Sequence, residues 1–187
     1  MFDLLERKRM RSTTILAVRR NGHVAIGGDG QVTLGDTAIK HSARKIRKIY
    51  QDRVLIGFAG STSDALTLYE NLEKKLEQYR GNLQKAAVEL ARDWRSDRIL
   101  RRTEALMIAV DAKDGYLISG NGDLIIPDDD VLAIGSGSSI ALAASRALLK
   151  YASLNASEIV AEALQITSDI CIYTNAQIEI ETIETEE

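Results

Sequence analysis

Cysteine and proline are almost missing from this 187-residue chain: Cys171 and Pro127 are single occurrences. One thiol excludes a disulfide framework within the chain and fits a reducing compartment. Histidine is nearly as scarce, at His23 and His41, so imidazole-based triads are poorly supplied. Aromatics are few, six Tyr, two Phe and one Trp, so the core must rest on aliphatic side chains. No run approaches the about 18–20 apolar residues of a membrane span, and the opening MFDLLERKRMRSTT has no apolar stretch of the secretory kind. Charge is nearly balanced, 24 basic against 27 acidic residues, which does not mark a polyanion binder. The expectation is a cytoplasmic protein, with no nucleic-acid and no membrane partner.

What is present is an ordered series of short strand and helix signals. TILAVRR and HVAIGGD flank Asn21-Gly22, the dipeptide suited to a type I′ hairpin because both central positions need positive φ. Further strands are expected at Thr37–His41, Lys45–Tyr50 and Arg53–Ala59, the last apolar enough to be buried on both faces. A helix capped by Ser61 or Ser63 carries Ala65, Leu68, Tyr69, Leu72, Leu76 and Tyr79 at helical spacing and ends at Gly81. A second covers Leu83–Leu100, with Ala86, Leu90, Trp94 and Ile99 near one face. Strands resume at Ala105–Asp111, Tyr116–Ser119, Leu124–Ile126 and Val131–Ile134. Helices Ser139–Tyr151 and Ser157–Asp169 follow, the latter opened by a partial capping box read as Ser157-x-x-Val160. Strand Gln177–Ile183 and an acidic tail close the chain. Strands and helix pairs grouped in this order favour an α+β layout with antiparallel sheets.

Familiar nucleophile and metal signatures are absent. There is no G-x-S-x-G elbow, no H-E-x-x-H and no C-x-x-C. Cys171, between Ile170 and Ile172, reads as an inert buried thiol. A threonine that heads its chain offers another route, since its own α-amine can take the hydroxyl proton. That amine has an ordinary pKa of about 7.7–8.0, close to working pH. Such chemistry requires cleavage before the threonine. The hairpin register, with Arg20 facing His23, places Thr14 opposite Asp29 and Thr13 beside it at the open end. The register fixes proximity, not side-chain direction.

TTILAVRRNGHVAIGGDGQVTLGDT, KIRKIY and VLIGFAGSTSDALTLYE closely resemble the HslV family, bacterial peptidases related to proteasome β subunits. DWRSDRILRRTEALMIAVD, SGNGD, AIGSGSSIALAASRALL and SDICIYTN match further blocks in order, so the resemblance runs from about Thr13 to Asn175. It implies a four-layer αββα sandwich of two antiparallel sheets between helix pairs, and a threonine-type endopeptidase acting on unfolded polypeptides. It places the nucleophile at Thr13, the orienting carboxylate at Asp29 and a neighbouring ammonium at Lys45. The oxyanion donor falls at the Gly60 N–H, and Ser136 falls beside the terminal amine. SDICIYT resembles the family's sodium loop, with backbone carbonyls of Ser168, Cys171 and Thr174 as ligands. The family usually has glycine where Ser168 stands. The implied partners are an HslU-type AAA+ ATPase ring and further copies of the chain, in two stacked hexameric rings. No nucleotide motif occurs in the chain, so ATP dependence would reside in the partner.

Residues 1–12 are a further departure, since many relatives carry only a methionine before the threonine. The resemblance then implies self-cleavage at Ser12–Thr13, leaving 13–187 as one peptidase domain. Other classes stay open on the residues alone. Gly135-Ser-Gly-Ser-Ser with the basic run Lys40–Lys48 could form a nucleotide or nucleic-acid binding module, although a third glycine and a Walker lysine are lacking. An amidase with the same nucleophile acting on a small metabolite is another. The run Asp128–Asp130 lacks calcium-loop spacing and reads as an acidic turn.

Overall fold

The computed structural model describes residues 10, 11, 13–60, 62–96, 105–119 and 121–184. Alternation along the first long strands already dictates a layered build. In β2 (Thr14–Arg20), Ile15 and Ala17 point to one side while Leu16 and Val18 point to the other, and all four are buried. A strand buried on both faces needs a partner layer on each side.

β2 turns through Asn21 (φ 51) and Gly22 (φ 75) into β3 (His23–Asp29), with Arg20 opposite His23 as the dipeptide predicts. β11 (Val131–Gly135) pairs with β2, and β12 (Ile178–Glu184) pairs with β3, giving an antiparallel sheet ordered β11-β2-β3-β12. The second sheet, β10-β9-β8-β7-β6, comprises β6 (Ile46–Ile49), β7 (Val54–Ala59), β8 (Leu106–Val110), β9 (Gly115–Ser119) and β10 (Leu124–Ile125). Every pairing in it is antiparallel.

Three apolar clusters define the layers. Ile15, Ala17, Ile26, Leu55, Ile108 and Ile134 fill the space between the sheets. Leu16, Val18, Ala25, Ile159, Ala163 and Leu164 lie between the first sheet and helices α3 (Ser138–Tyr151) and α4 (Ala156–Ile170). Leu68, Leu72, Leu76, Leu90 and Trp94 cover the other sheet from α1 (Thr62–Gln78) and α2 (Leu83–Ser96). This is the expected α+β sandwich of four layers, helices outside and two antiparallel sheets within.

Several boundaries differ from the sequence reading. With α1 starting at Thr62, Ser63 lies inside its first turn, while Ser61 falls outside the described residues. Ile99, expected in the second helix, and the tail after Glu184 also fall outside them. α1 closes through left-handed Arg80 (φ 53) and Gly81 (φ 81), whose N–H reaches the Leu76 carbonyl at 2.8 Å. A short strand went unforeseen: β4 (Val32–Leu34) pairs with β5 (Thr37–Lys40) on one side and with β1 (Met10–Arg11) on the other. Residues 1–9 and 12 of the expected leader lie outside the described residues.

The start of α4 corrects a cap. Asn155, not Ser157, is its N-cap: the Asn155 side chain accepts from Glu158 N–H at 2.9 Å, and the Glu158 carboxylate accepts from Asn155 N–H at 2.7 Å. The box is therefore complete two residues earlier, where a Glu does stand three positions on. Ser157 only donates its hydroxyl to Asn155 Oδ1. Asn155→Ala is expected to lower stability by about 1 kcal/mol, measured as a shift in urea midpoint, and Ser157→Ala by much less. The reverse order would return the cap to Ser157.

Candidate active site

The open end of the β2–β3 hairpin gathers five chain segments around one carboxylate. Asp29 is 1% exposed. Its Oδ1 accepts from Thr14 N–H at 2.7 Å and from Lys45 Nζ at 2.9 Å. Its Oδ2 accepts from Gln31 N–H at 2.9 Å and from Asn175 N–H at 3.4 Å. A buried carboxylate is tolerated only when its lone pairs are answered in this way.

Lys45 enters from the segment that leads into β6, with its side chain 7% exposed. Besides Asp29, its ammonium donates to the Gln31 carbonyl at 2.6 Å. Burial pushes the Lys45 pKa below the ordinary lysine value, while the charge and hydrogen bond of Asp29 pull it part of the way back. The Lys45 carbonyl accepts from Phe58 N–H at 3.1 Å, tying this segment to β7. Gly60 follows two residues later at the exposed end of that strand, with φ +122.

Thr13 is 3% exposed and has φ +106, rare for a β-branched residue. Its carbonyl accepts from Ser136 N–H at 2.9 Å. Gly135, with φ +95, lies so close that a Cβ there would collide with the Thr13 carbonyl oxygen, so only glycine permits this approach. Thr14, fully buried, shares a hydrogen bond with the Thr174 hydroxyl at 2.7 Å and accepts from Gly137 N–H at 3.0 Å. Thr13, Asp29, Lys45 and Ser136 are thus joined by hydrogen bonds to one another or through the adjoining Thr14. Gly60 lies just beyond the strand whose Phe58 N–H is tied to the Lys45 carbonyl.

A family model for proteasome subunits matches residues 10–183. The chain belongs to the proteasome subunit family. Two curated relatives are both described as ATP-dependent protease subunit HslV. That of Syntrophobacter fumaroxidans is 56% identical over 171 residues, spanning 91% of this chain and 96% of the relative. That of Aquifex aeolicus is 61% identical over 174 residues, spanning 93% and 99%. The crystal structure of eukaryotic HslV from Trypanosoma brucei superposes with TM-score 0.87 at 46% identity, covering 91% of this chain and 99% of that one. The structure of Thiobacillus denitrificans BPH in complex with epoxomicin reaches TM-score 0.71 at 17% identity, covering 93% and 100%, and speaks for the fold alone. Within the proteasome family, identity this high over nearly the whole length makes the chain a protease subunit of the HslV type.

The expected sodium loop lies at the C-terminal end of α4, next to the site. Ser168 is in helical backbone, so the left-handed conformation that would call for glycine is not required there. Cys171 is the buried C-cap, donating its N–H to the Thr167 carbonyl at 2.8 Å, and its own carbonyl accepts from Thr174 N–H at 3.0 Å. Among the described residues no cluster of three or more His, Cys, Asp or Glu could hold a metal.

The hairpin register already set Thr14 opposite Asp29, but nothing in the sequence marked Gln31 or Asn175. Gln31 Nε2 donates to the Ile172 carbonyl at 2.8 Å and to the Thr33 hydroxyl at 2.9 Å, linking the segment after α4 to β4. For the buried pair, Asp29→Asn and Lys45→Met are each expected to cost about 3–5 kcal/mol, since each strands a charge. The double variant should lose clearly less than the sum of the two. Urea unfolding of all four chains checks this, and strict additivity would deny that the two groups depend on each other.

Proposed function

We propose that Thr13, freed by removal of residues 1–12, is the nucleophile of this threonine peptidase, and that 13–187 is the working domain. The observation that carries the reading is the buried Lys45–Asp29 pair held against the segment on which Thr13 sits, with Asp29 bonded to the Thr14 N–H. Once exposed, the Thr13 α-amine takes the proton of its own hydroxyl as the oxygen attacks the substrate carbonyl. The nearby Lys45 ammonium stabilises the developing alkoxide. Gly60 N–H donates to the tetrahedral oxyanion, a contact of the kind worth ~10²–10³ in rate. Collapse expels the leaving amine, which takes the proton from Thr13 nitrogen, and leaves an ester on Thr13. Water then gives a proton to the same nitrogen and attacks the ester carbonyl; the acyl–oxygen bond breaks, the Thr13 oxygen takes that proton back, and the carboxylic acid product leaves. The Ser136 hydroxyl, whose backbone N–H already holds the Thr13 carbonyl, orients that amine.

Self-cleavage at Ser12–Thr13 is supported by the same residues. Positive φ at a threonine stores on the order of 1–3 kcal/mol, and the constraint disappears when the preceding peptide bond is cut. Substrates are unfolded polypeptides delivered by an HslU-type ATPase ring, in keeping with the relatives' description as subunits of an ATP-dependent protease. The working particle is two stacked hexameric rings in the cytoplasm. No helix among the described residues is long and apolar enough to cross a membrane.

A sodium ion fits the carbonyls of Ser168, Cys171 and Thr174. Ser168 is among the last four carbonyls of α4, which have no intrahelical partner, and the helix end is the negative pole of its dipole. Hard oxygen ligands suit such a cation. When bound, the ion would supply rigidity to the loop that presents Thr174 to Thr14.

Thr13→Ala is expected to abolish peptide hydrolysis and to retain residues 1–12 in the intact mass, while rings still assemble. Hydrolysis persisting in that variant would exclude Thr13 as nucleophile. Activity should also fall on the alkaline side, beginning below pH 10.5, as Lys45 loses its proton in the folded enzyme. The sign for stability is opposite. The lowered pKa means that the folded chain holds fewer protons than the unfolded one in this window, so this group alone favours folding as pH rises. A pH–rate profile with circular dichroism at each point separates the two effects, and an activity plateau reaching past pH 10.5 would contradict the role given to Lys45.

A further inference from the structure

Asn175 ends the last sequence block of the site and has no part in the chemistry above, yet its side chain is bonded to three backbone groups around the site. Its Oδ1 accepts from Gly30 N–H at 3.1 Å and from Gln177 N–H at 3.2 Å. Its Nδ2 donates to the His41 carbonyl at 3.0 Å. Its own N–H approaches Asp29 Oδ2 at 3.4 Å. The donors on one side and the acceptor on the other fix which way the amide faces, because a flipped amide would set NH₂ against two N–H groups.

The three segments it joins are the ones whose relative placement decides the ion pair. Asp29 ends β3 and Gly30 follows it; His41 opens the segment that delivers Lys45; Asn175 closes the loop after α4. The first two segments are also in direct backbone contact. Ala43 N–H reaches the Gly30 carbonyl at 2.9 Å, and a Cβ on Gly30 would collide with the His41 carbonyl. Backbone contact alone leaves the Gly30 N–H and the His41 carbonyl without these partners, and one primary amide answers both.

We infer that Asn175 is a positioning residue of this peptidase: its side-chain amide clamps the Gly30 turn to the His41–Lys45 segment and so sets the Lys45 ammonium against Asp29. The inference rests on the reading of Lys45 and Asp29 as part of the catalytic apparatus. Misplacement of a catalytic charge by about 1 Å can cost ~10²-fold without touching substrate binding. Loss of the amide therefore lowers kcat and leaves KM nearly unchanged.

The test is steady-state hydrolysis of a fluorogenic peptide by the assembled particle with its ATPase ring, for the wild type, Thr13→Ala, Asn175→Ala and Asn175→Asp. Asn175→Asp keeps the acceptor for Gly30 and Gln177 but loses the donor to His41, and it serves if the alanine variant fails to assemble. The expected result is a kcat about tenfold or more below wild type for Asn175→Ala, an intermediate value for Asn175→Asp, and KM within about twofold in both. A variant that assembles, melts at a lower temperature and keeps wild-type kcat per assembled particle would make the amide purely structural and overturn the inference. Hydrolysis by Thr13→Ala at the wild-type rate would instead overturn the functional reading on which it rests.

Discussion

A carboxylate taken out of water must be fully answered by donors, and Asp29 recruits them from four separate places in the chain. Thr14 comes from the partner strand of the hairpin, Gln31 from the next turn, Lys45 from the segment leading into β6 and Asn175 from the loop after α4. Each donor belongs to an element anchored elsewhere by apolar packing, so meeting the needs of one buried charge also fixes the mutual positions of those elements at the open end of the sandwich. The same arrangement keeps an ammonium beside the residue proposed as nucleophile. Stability and chemistry are therefore drawn from one interaction, which is why either partner of the pair cannot be removed alone without stranding the other.

The layered core explains how a strand end is held still. Ile15 and Leu16 follow the Thr13–Thr14 pair directly and are buried on opposite faces, one between the sheets and one under α4. Gly135 allows β11 to approach the Thr13 carbonyl at van der Waals limits, and Gly137 lets the start of α3 meet the Thr14 hydroxyl. Small residues at these places let two backbones close on the segment from the side opposite Asp29.

How much of this was legible in the sequence depended on the range of the interactions involved. The Asn21-Gly22 turn is a local signal, and from it alone the neighbourhood of Thr13, Thr14 and Asp29 follows by counting along two strands. The helices were legible because their apolar stripes repeat over several turns. β4 was not, since three residues between Gly30 and Gly35 are too few to display a period, and its partners are met only in space. The cap at Asn155 was missed because a serine two residues later looked equally suited, and only the Glu158 carboxylate decides between them. Lys45, Gly60 and Ser136 were reached through family resemblance. Gln31 and Asn175 act on groups about 140 residues away along the chain, and neither residue type carries a signal of such contact.

The proposed chemistry depends on one residue supplying both an oxygen nucleophile and its base. A peptide epoxyketone carries adjacent electrophilic carbons that can bridge a hydroxyl and an amine of the same residue, so its adduct reports both groups at once. Mass spectrometry of the active particle after such treatment is predicted to give a chain that begins at Thr13 with the reagent attached to that first residue. A labelled, active chain that still carries residues before Thr13, or an adduct elsewhere, would contradict it.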